Sequence, residues 1–430
     1  MFNKIKFSSL IVWSIFFIIL PLPLIFSLLT GTHSLGSQQQ LSIYSGTIAY
    51  TWMLLAVFLG TRPHWLDRLV GLPNIYQLHG ILATAALLLA WLHKFISHGG
   101  GLIKQTGDLA LIILTGILIY SSLLLSNWLT AHSSNFKTFR QSLERIFKHE
   151  LSLWIHRLNL LAIVLIFIHV QLIGFVTRNT PFMILFDSYS LATLLIYLKF
   201  KFNWYRLDEA ELTVFKNQKI SSRICELTLD GRQLAKLQLL PGDFIFLAFP
   251  RIKKLHEPHP FSIVDLPVDT GKLKLAIRAD GDFTTALAKV KPGTQVKVTG
   301  GYGRYQHFID EQPKQAKLVV ITGGIGVTPL FSVIKHNLSR QIYFFYTAHQ
   351  VSELLYLDQL NQWNRLNNFH GYWQKGRFSD NCIVEHLPAS WKEDTLFLLS
   401  GPTPLIEHWQ AFLLSQQVES TRIFKENFSW

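Results

Sequence analysis

Apolar residues dominate the first 200 positions in six stretches, at about 9–30, 41–60, 75–97, 107–129, 151–177 and 181–200. Each is near the ~20 residues that a helix needs to cross a hydrocarbon layer of about 30 Å. The pattern predicts six membrane-spanning helices. The first stretch begins like a secretory signal, with Lys4 and Lys6 ahead of the apolar run, but it lacks a small-residue cleavage site and contains Pro21 and Pro23. The expectation is a retained helix, kinked or broken near the prolines. From about residue 205 the pattern changes. Short alternating segments such as 272–277 and 294–299 are separated by the turn signals Pro241-Gly242-Asp243 and Pro292-Gly293, which predicts a small antiparallel β-barrel. Beyond residue 315, strand-like runs (317–322, 341–346, 395–399) alternate with helical ones (329–337, 404–414), which predicts an α/β unit with a parallel sheet. The chain therefore divides into a transmembrane part, 1–203, a barrel domain, 204–305, and an α/β domain, 306–430.

Composition sharpens this. Hydrophobic residues make up 49% and charged residues 16%, well below the roughly 25% charged residues of a soluble protein. With 32 Phe and 12 Trp the chain is no disordered polymer. Its two cysteines, Cys225 and Cys382, form no CxxC, which argues against a disulfide framework, a zinc ribbon and a cysteine-held iron–sulfur cluster. The formal charge of +13 is uneven: residues 1–202 hold 14 Lys and Arg against 5 Asp and Glu, the remainder 26 against 22. A basic excess inside the apolar half reads as membrane topology, not as a nucleic-acid surface. One set of loops carries Lys4, Lys6, Arg62, Arg68, Lys137, Arg140, Arg145, Lys148, Lys199 and Lys201, while the opposite set carries only Lys104 and Arg178. By the positive-inside bias the N-terminus and everything after residue 203 face the cytoplasm, which makes the expected location the plasma (inner) membrane.

Four histidines lie within the spans. His79 and His93 are 14 residues apart in the third, and His156 and His169 are 13 apart in the fifth. At the rise of an α-helix these separations are about 21 Å and about 20 Å, so each helix carries one imidazole near each leaflet. Ionisable residues in lipid are costly and mark function, and imidazole ligates iron well. Two facing helices would clamp two haems, His79 with His156 on the inner side and His93 with His169 on the outer. Helical packing through polar hydrogen bonds is the bland alternative. Residues 13 apart point about 140° away from each other on an ideal helix, so the second pair requires rotated haems or a distorted helix. His64 and His98, near span ends, read as interfacial residues.

The cytoplasmic half carries phosphate-binding patterns. His259-Pro260-Phe261-Ser262 closes a strand-like run, and Arg278 followed by Gly281-Asp282-Phe283-Thr284 comes about twenty residues later. A glycine, an aromatic and a threonine at a helix start offer backbone N–H groups and a hydroxyl to a pyrophosphate, and Arg278 adds charge. Residues 319–329, Val-Val-Ile-Thr-Gly-Gly-Ile-Gly-Val-Thr-Pro, are a strand, a glycine-rich turn and a helix start, with Pro329 in place of a third glycine. Ser400-Gly401-Pro402 follows a strand near the end, and the chain closes Glu426-Asn427-Phe428-Ser429-Trp430.

Together these residues resemble the ferric reductase and NADPH oxidase superfamily, over nearly the whole chain. The segment from Arg62-Pro63 through Gly71-Leu72, Tyr76 and His79 is similar to its bacterial members. The resemblance implies a six-helix haem domain followed by a ferredoxin-reductase-like module, an antiparallel barrel for FAD and a parallel-sheet domain for NADPH or NADH. It implies that Ser262 hydrogen-bonds the flavin near N5, that His259, Pro260 and Phe261 shape the flavin site, and that Arg278, Gly281 and Thr284 hold the FAD phosphates. Gly323, Gly324, Gly326 and Thr328 would bind the nicotinamide dinucleotide phosphates, and Phe428 or Trp430 would shield the flavin ring. Ser400 stands where many relatives have a cysteine beside the nicotinamide, Gly300-Gly301-Tyr302-Gly303 where Gly-Pro-Tyr-Gly is usual, and two residues follow the expected Phe428.

The function expected is electron transfer across the membrane from NAD(P)H through FAD and two b-type haems to oxygen, giving superoxide, or to ferric chelates. Lys94, Lys104 and Arg178 are candidates to attract anionic acceptors. The alternative is an electron-donating subunit feeding an extracytoplasmic protein. No nucleic-acid partner and no obligatory protein partner is indicated, and the bilayer itself is the expected surrounding.

Overall fold

The computed structural model describes residues 9–32, 35–124, 149–202, 209–267 and 271–426. The basic residues Lys4, Lys6, Lys137, Arg140, Arg145 and Lys148, the end of the fourth apolar stretch, and Phe428 and Trp430 lie outside them. The chain forms two compact units, one ending at Tyr205 and the other beginning at Arg206.

The first unit is helical, and six of its segments are long and apolar enough to cross a membrane. The first of these is interrupted near its prolines. Helix α1 (Ser9–Ser14) widens into a π-turn at Ile15–Ile19, where Leu20 N donates to the Ile15 carbonyl at 3.0 Å, and the chain resumes as α2 (Leu22–Thr32). The wide turn fits the lost donor and the ring clash that proline imposes. Then follow α3 (Ser37–Gly60), the short α4 (His64–Val70), α5 (Leu72–Ile96), α6 (Gly101–Leu124), α7 (His149–Gln171) and α8 (Thr180–Lys201). Proline at the start of α5 and of α8 costs no hydrogen bond there, and Asn179 caps α8 by accepting from Phe182 N at 3.3 Å. Helix α3 packs along α5 and α6 along α7. Leu88, Ile112, Trp154 and Ile184 remain 67%, 68%, 63% and 61% exposed, a surface suited to hydrocarbon rather than water.

The second unit begins with six strands that close into an antiparallel barrel in the order β1-β2-β5-β4-β3-β6: β1 (Glu209–Lys219), β2 (Ile224–Asp230), β3 (Phe244–Ala248), β4 (His259–Asp265), β5 (Leu273–Arg278) and β6 (Gln295–Tyr302). Leu212, Leu227, Ile245, Leu247, Ile263 and Leu275 fill its interior. A parallel sheet follows in the order β11-β10-β7-β8-β9, from β7 (Lys317–Gly323), β8 (Ile342–Ala348), β9 (Phe369–Lys375), β10 (Thr395–Ser400) and β11 (Ile423–Lys425). Its central strands are buried on both faces, so they read as unbroken apolar runs, not as alternations. This is the architecture expected from the sequence: a helical bundle, an antiparallel barrel and a parallel α/β domain.

Barrel and sheet are joined by polar contacts. Ser332 receives a hydrogen bond from Gly242 N at 2.9 Å, Lys335 reaches Asp265 at 2.8 Å, and the Tyr356 hydroxyl donates to the buried Glu226 carboxylate at 2.9 Å. Burial, with Glu226 beside it, pushes the Tyr356 hydroxyl far above its ordinary pKa and keeps it a donor.

Candidate functional site

In the helical unit the structure brings His79 to His156, with ring centres 6.0 Å apart, and His93 to His169, at 6.2 Å. The other ring nitrogen of each is anchored. His79 Nδ1 donates to the Ala56 carbonyl at 2.8 Å and His93 Nδ1 to the Ser42 carbonyl at 2.7 Å, both on α3. His169 Nδ1 donates to the Ile103 carbonyl at 2.8 Å, and His156 Nδ1 lies 3.1 Å from the Ser121 hydroxyl, both on α6. A carbonyl only accepts, so at least three of the four Nδ1 atoms carry the proton. In the neutral imidazole that leaves Nε2 as the lone-pair nitrogen, aimed away from the anchoring helix.

Among the described residues no group of three or more His, Cys, Asp or Glu converges as a metal site. Each pair therefore offers two ligands and no more. That donor set would suit a haem iron, whose porphyrin would supply four nitrogens and leave each histidine pair to complete the coordination. The spacing fits as well: two metal–nitrogen bonds of about 2 Å plus the two ring radii come to about 6 Å.

The 13-residue spacing is accommodated without a break, since α7 is a continuous α-helix from His149 to Gln171. The side chains absorb the offset, and the ring planes meet at 50° in the first pair and 86° in the second. Close approach depends on glycines. A Cβ on Gly46 would lie 3.0 Å from His93 Nδ1, and one on Gly107 3.2 Å from His169 Nδ1. Lys94, a candidate to attract anionic acceptors, is ion-paired with Asp108 of the neighbouring helix, whereas Lys104 and Arg178 are exposed.

In the second unit, residues 259–262 open β4 and are only half-buried, while the rest of the strand is buried. His259 and Phe261 lie against Phe283, with ring centres 4.1 and 5.9 Å away. Phe283 belongs to α9 (Asp282–Leu287), whose first turn is built by Thr284: its hydroxyl accepts from both Asp280 N and Gly281 N at 3.0 Å. Thr284 thus shapes the turn beside the half-buried start of β4. Glu426 returns to this end and accepts from Arg304 N at 2.6 Å, next to the Gly300–Gly303 segment.

The glycine turn sits where β7 ends and α10 (Val327–His336) begins. Its glycines do different work. Gly324 has φ +57°, with only Arg278 Nη1 near, 3.8 Å from a Cβ placed there. Gly326 lies against the backbone of Gly401, where a Cβ would come within 2.5 Å of Gly401 Cα, and a Cβ on Gly323 would meet Leu405 at 2.7 Å. Thr328 closes the turn by donating to the Ile325 carbonyl at 2.9 Å. Thr322 and Ser400 are register neighbours at the carboxyl ends of β7 and β10, both fully buried, and Thr322 Oγ1 has no hydrogen-bond partner. Beside them a cleft of about 490 Å³ is lined by Thr347, Arg377, Asp380, Leu405 and His408, with Asp380 and His408 paired at 2.7 Å. The carboxyl ends of parallel strands, where a glycine turn leads into a helix, are where an α/β sheet takes a nucleotide.

Comparison with known proteins agrees. Residues 210–322 match the family model of an FAD-binding domain, and residues 320–411 that of an oxidoreductase NAD-binding domain. The second unit is an FAD- and nicotinamide-dependent oxidoreductase module. The electron transfer subunit of dihydroorotate dehydrogenase B (NAD(+)) from Shouchella clausii is 28% identical to the chain over 207 residues, 47% of this chain and 77% of that protein. Sulfhydrogenase 1 subunit gamma from Pyrococcus furiosus is 32% identical over 136 residues, 30% of this chain and 44% of that one. A ferredoxin NADP+ reductase structure from Neisseria gonorrhoeae, with bound FAD and NADP, aligns over 51% of this chain and 98% of its own at 16% identity and a TM-score of 0.44. The flavin–nicotinamide module thus accounts for the barrel, the glycine turn and the cleft, and the paired histidines lie in the other unit.

Several contacts of the paired histidines carried no readable signature in the sequence. The carbonyls of Ala56, Ser42 and Ile103 are backbone atoms, so no side chain announces them. Gly46 and Gly107, within apolar spans, were visible as small residues but not as neighbours of histidine.

Proposed function

We propose that the chain is a membrane flavocytochrome that moves electrons from cytoplasmic NADPH or NADH, through FAD and two b-type haems, to an acceptor on the far side: oxygen, giving superoxide, or chelated ferric iron. The observation that carries this reading is the two facing imidazole pairs, 6.0 and 6.2 Å between ring centres, each ring tethered through Nδ1. His79 and His156 would hold one haem, and His93 and His169 the other. When bound, FAD supplies the conversion of a two-electron hydride into single electrons, and the haems supply one-electron carriers at two depths. The chain's own part is to fix those groups. Carbonyls on α3 and α6 hold three of the four imidazoles in one tautomer, and two protein ligands per haem iron would leave no open coordination position. The acceptor is then one that takes an electron without binding the metal. In the module, Ser262 on the half-buried part of β4 would hydrogen-bond the flavin, and Thr322 and Ser400 lie side by side at the carboxyl ends of β7 and β10. Arg62, Arg68, Lys199 and Lys201 at one set of span ends support a plasma (inner) membrane protein with the module in the cytoplasm.

The test is turnover by the purified full chain in detergent, with NADPH or NADH and either oxygen or ferric citrate. Acceptor reduction without added protein supports the proposal. The relatives' names, an electron transfer subunit and a subunit gamma, favour a second reading: an electron-donating subunit for an extracytoplasmic protein. Flavin reduction with no transfer to either small acceptor would select it.

Arg377 in the cleft favours NADPH, since a guanidinium there would meet a 2′-phosphate. Arg377→Ala is expected to lower the ratio of kcat/KM for NADPH over NADH about tenfold, the scale of one charge-assisted hydrogen bond. An unchanged ratio would remove Arg377 from cofactor choice.

A further inference from the structure

Three of the four imidazole anchors repeat one arrangement, and the fourth departs from it. On α3 the Ser42 carbonyl accepts from His93, and Gly46, four residues on, faces the same ring, 3.0 Å from a Cβ placed there to Nδ1. Fourteen residues further along the same helix, the Ala56 carbonyl accepts from His79 and Gly60 faces that ring at 3.9 Å. On α6 the Ile103 carbonyl accepts from His169, and Gly107 faces it at 3.2 Å. A helix carbonyl points along the axis toward the residue four positions on, so a side chain there covers it. Glycine leaves its second lone pair open to the imidazole.

The same step of 14 along α6 leads from Ile103 and Gly107 to Ile117 and Ser121. A side chain now stands in the glycine place, and its hydroxyl lies 3.1 Å from His156 Nδ1. Among the described residues His156 alone of the four histidines is met there by a side chain and no carbonyl. His93 and His169 also have hydroxyls near Nδ1, Ser42 Oγ at 3.2 Å and Thr106 Oγ1 at 3.5 Å, but each keeps its carbonyl. The helix that carries His156 explains the exception. His156 and His169 are 13 residues apart, one short of the step on α6, and one residue is about 100° of rotation and 1.5 Å of rise. A side chain spans an offset that a fixed carbonyl does not.

A carbonyl dictates the tautomer of its imidazole, whereas a hydroxyl can accept or donate. We infer that Ser121 is the positioning residue of His156: its hydroxyl accepts from Nδ1–H and so keeps the lone pair on Nε2, the nitrogen that can ligate iron. An acceptor at Nδ1 also raises the basicity of the ring, and a more basic ligand favours the ferric state. The inference rests on the proposed reading of the histidine pairs as haem ligands.

The experiment is a redox titration of the purified haem-loaded full chain followed by electron paramagnetic resonance, with haem and FAD per chain read by absorbance. Ser121→Ala is expected to shift one of two low-spin ferric signals and to raise the midpoint potential of that site, while the other signal and the FAD content stay as they are. Haem at the shifted site should be held about ten- to hundredfold less tightly, the scale of losing a group that orients a metal ligand. Ser121→Thr keeps the hydroxyl and should restore both properties. Thr106→Ala should move neither signal, because His169 keeps the Ile103 carbonyl. Unchanged signals and potentials in Ser121→Ala would overturn the inference, and so would a shift that Ser121→Thr does not recover. An unaltered chain that shows no low-spin ferric signal would sink the haem reading itself, an outcome distinct from the failure of Ser121 alone.

Discussion

His93→Ala is expected to halve the iron content of the purified chain while leaving FAD content and flavin reduction by NAD(P)H as they are. Electron delivery to oxygen or ferric citrate should fall more than about a hundredfold, because removing a direct ligand exceeds the ten- to hundredfold cost of losing a partner that merely orients one. The separation of effects follows from placement. His93 and His169 form one pair, His79 and His156 the other, and the module with its glycine turn folds as a different compact unit. Equal loss of iron and flavin would mean that His93 supports the fold and holds no metal. Gly46→Val provides the graded version. Its side chain would press on His93, since even a Cβ there comes within 3.0 Å of Nδ1. If His93 and His169 hold a haem as proposed, iron content should fall in part without any ligand being removed.

Gly326→Val should abolish flavin reduction by NAD(P)H in a chain that still binds FAD and iron. The physical reason is backbone against backbone. A Cβ on Gly326 falls 2.5 Å from Gly401 Cα and 2.6 Å from its N, contacts that no rotamer change relieves. The ends of β7 and β10 must separate, and with them Thr322, Ser400 and the floor of the cleft. Overpacking of this kind costs about 1–3 kcal/mol, which the rest of the sheet should tolerate. The check is anaerobic flavin bleaching, together with a thermal unfolding scan to show that the variant is folded. Bleaching at the normal rate would separate the glycine turn from nicotinamide binding.

The six long apolar helices were legible because runs of about twenty mostly apolar residues stand out, and the strands of the sheet because burial on both faces leaves them few polar positions. The histidines were legible because an ionisable group in an apolar span stands out. What the sequence left hidden was whatever acts through the backbone or through pairing between distant elements. Nothing in the sequence links Asp108 to Lys94, which the structure pairs, or Glu226 to Tyr356, 130 residues further on. The glycine turn was visible, but not its division of labour. Gly324 is needed for its positive φ, whereas Gly323 and Gly326 make room for Leu405 and Gly401.

The central claim is that the two histidine pairs carry electrons arriving from the flavin–nicotinamide module. Anaerobic titration of the purified full chain with NADPH, followed by absorbance from the near ultraviolet through the visible, tests it most directly. The account predicts that flavin bleaching is accompanied by reduced six-coordinate low-spin b-type bands whose amplitude corresponds to two haems per flavin. Flavin that bleaches while those bands stay absent or oxidised would contradict it.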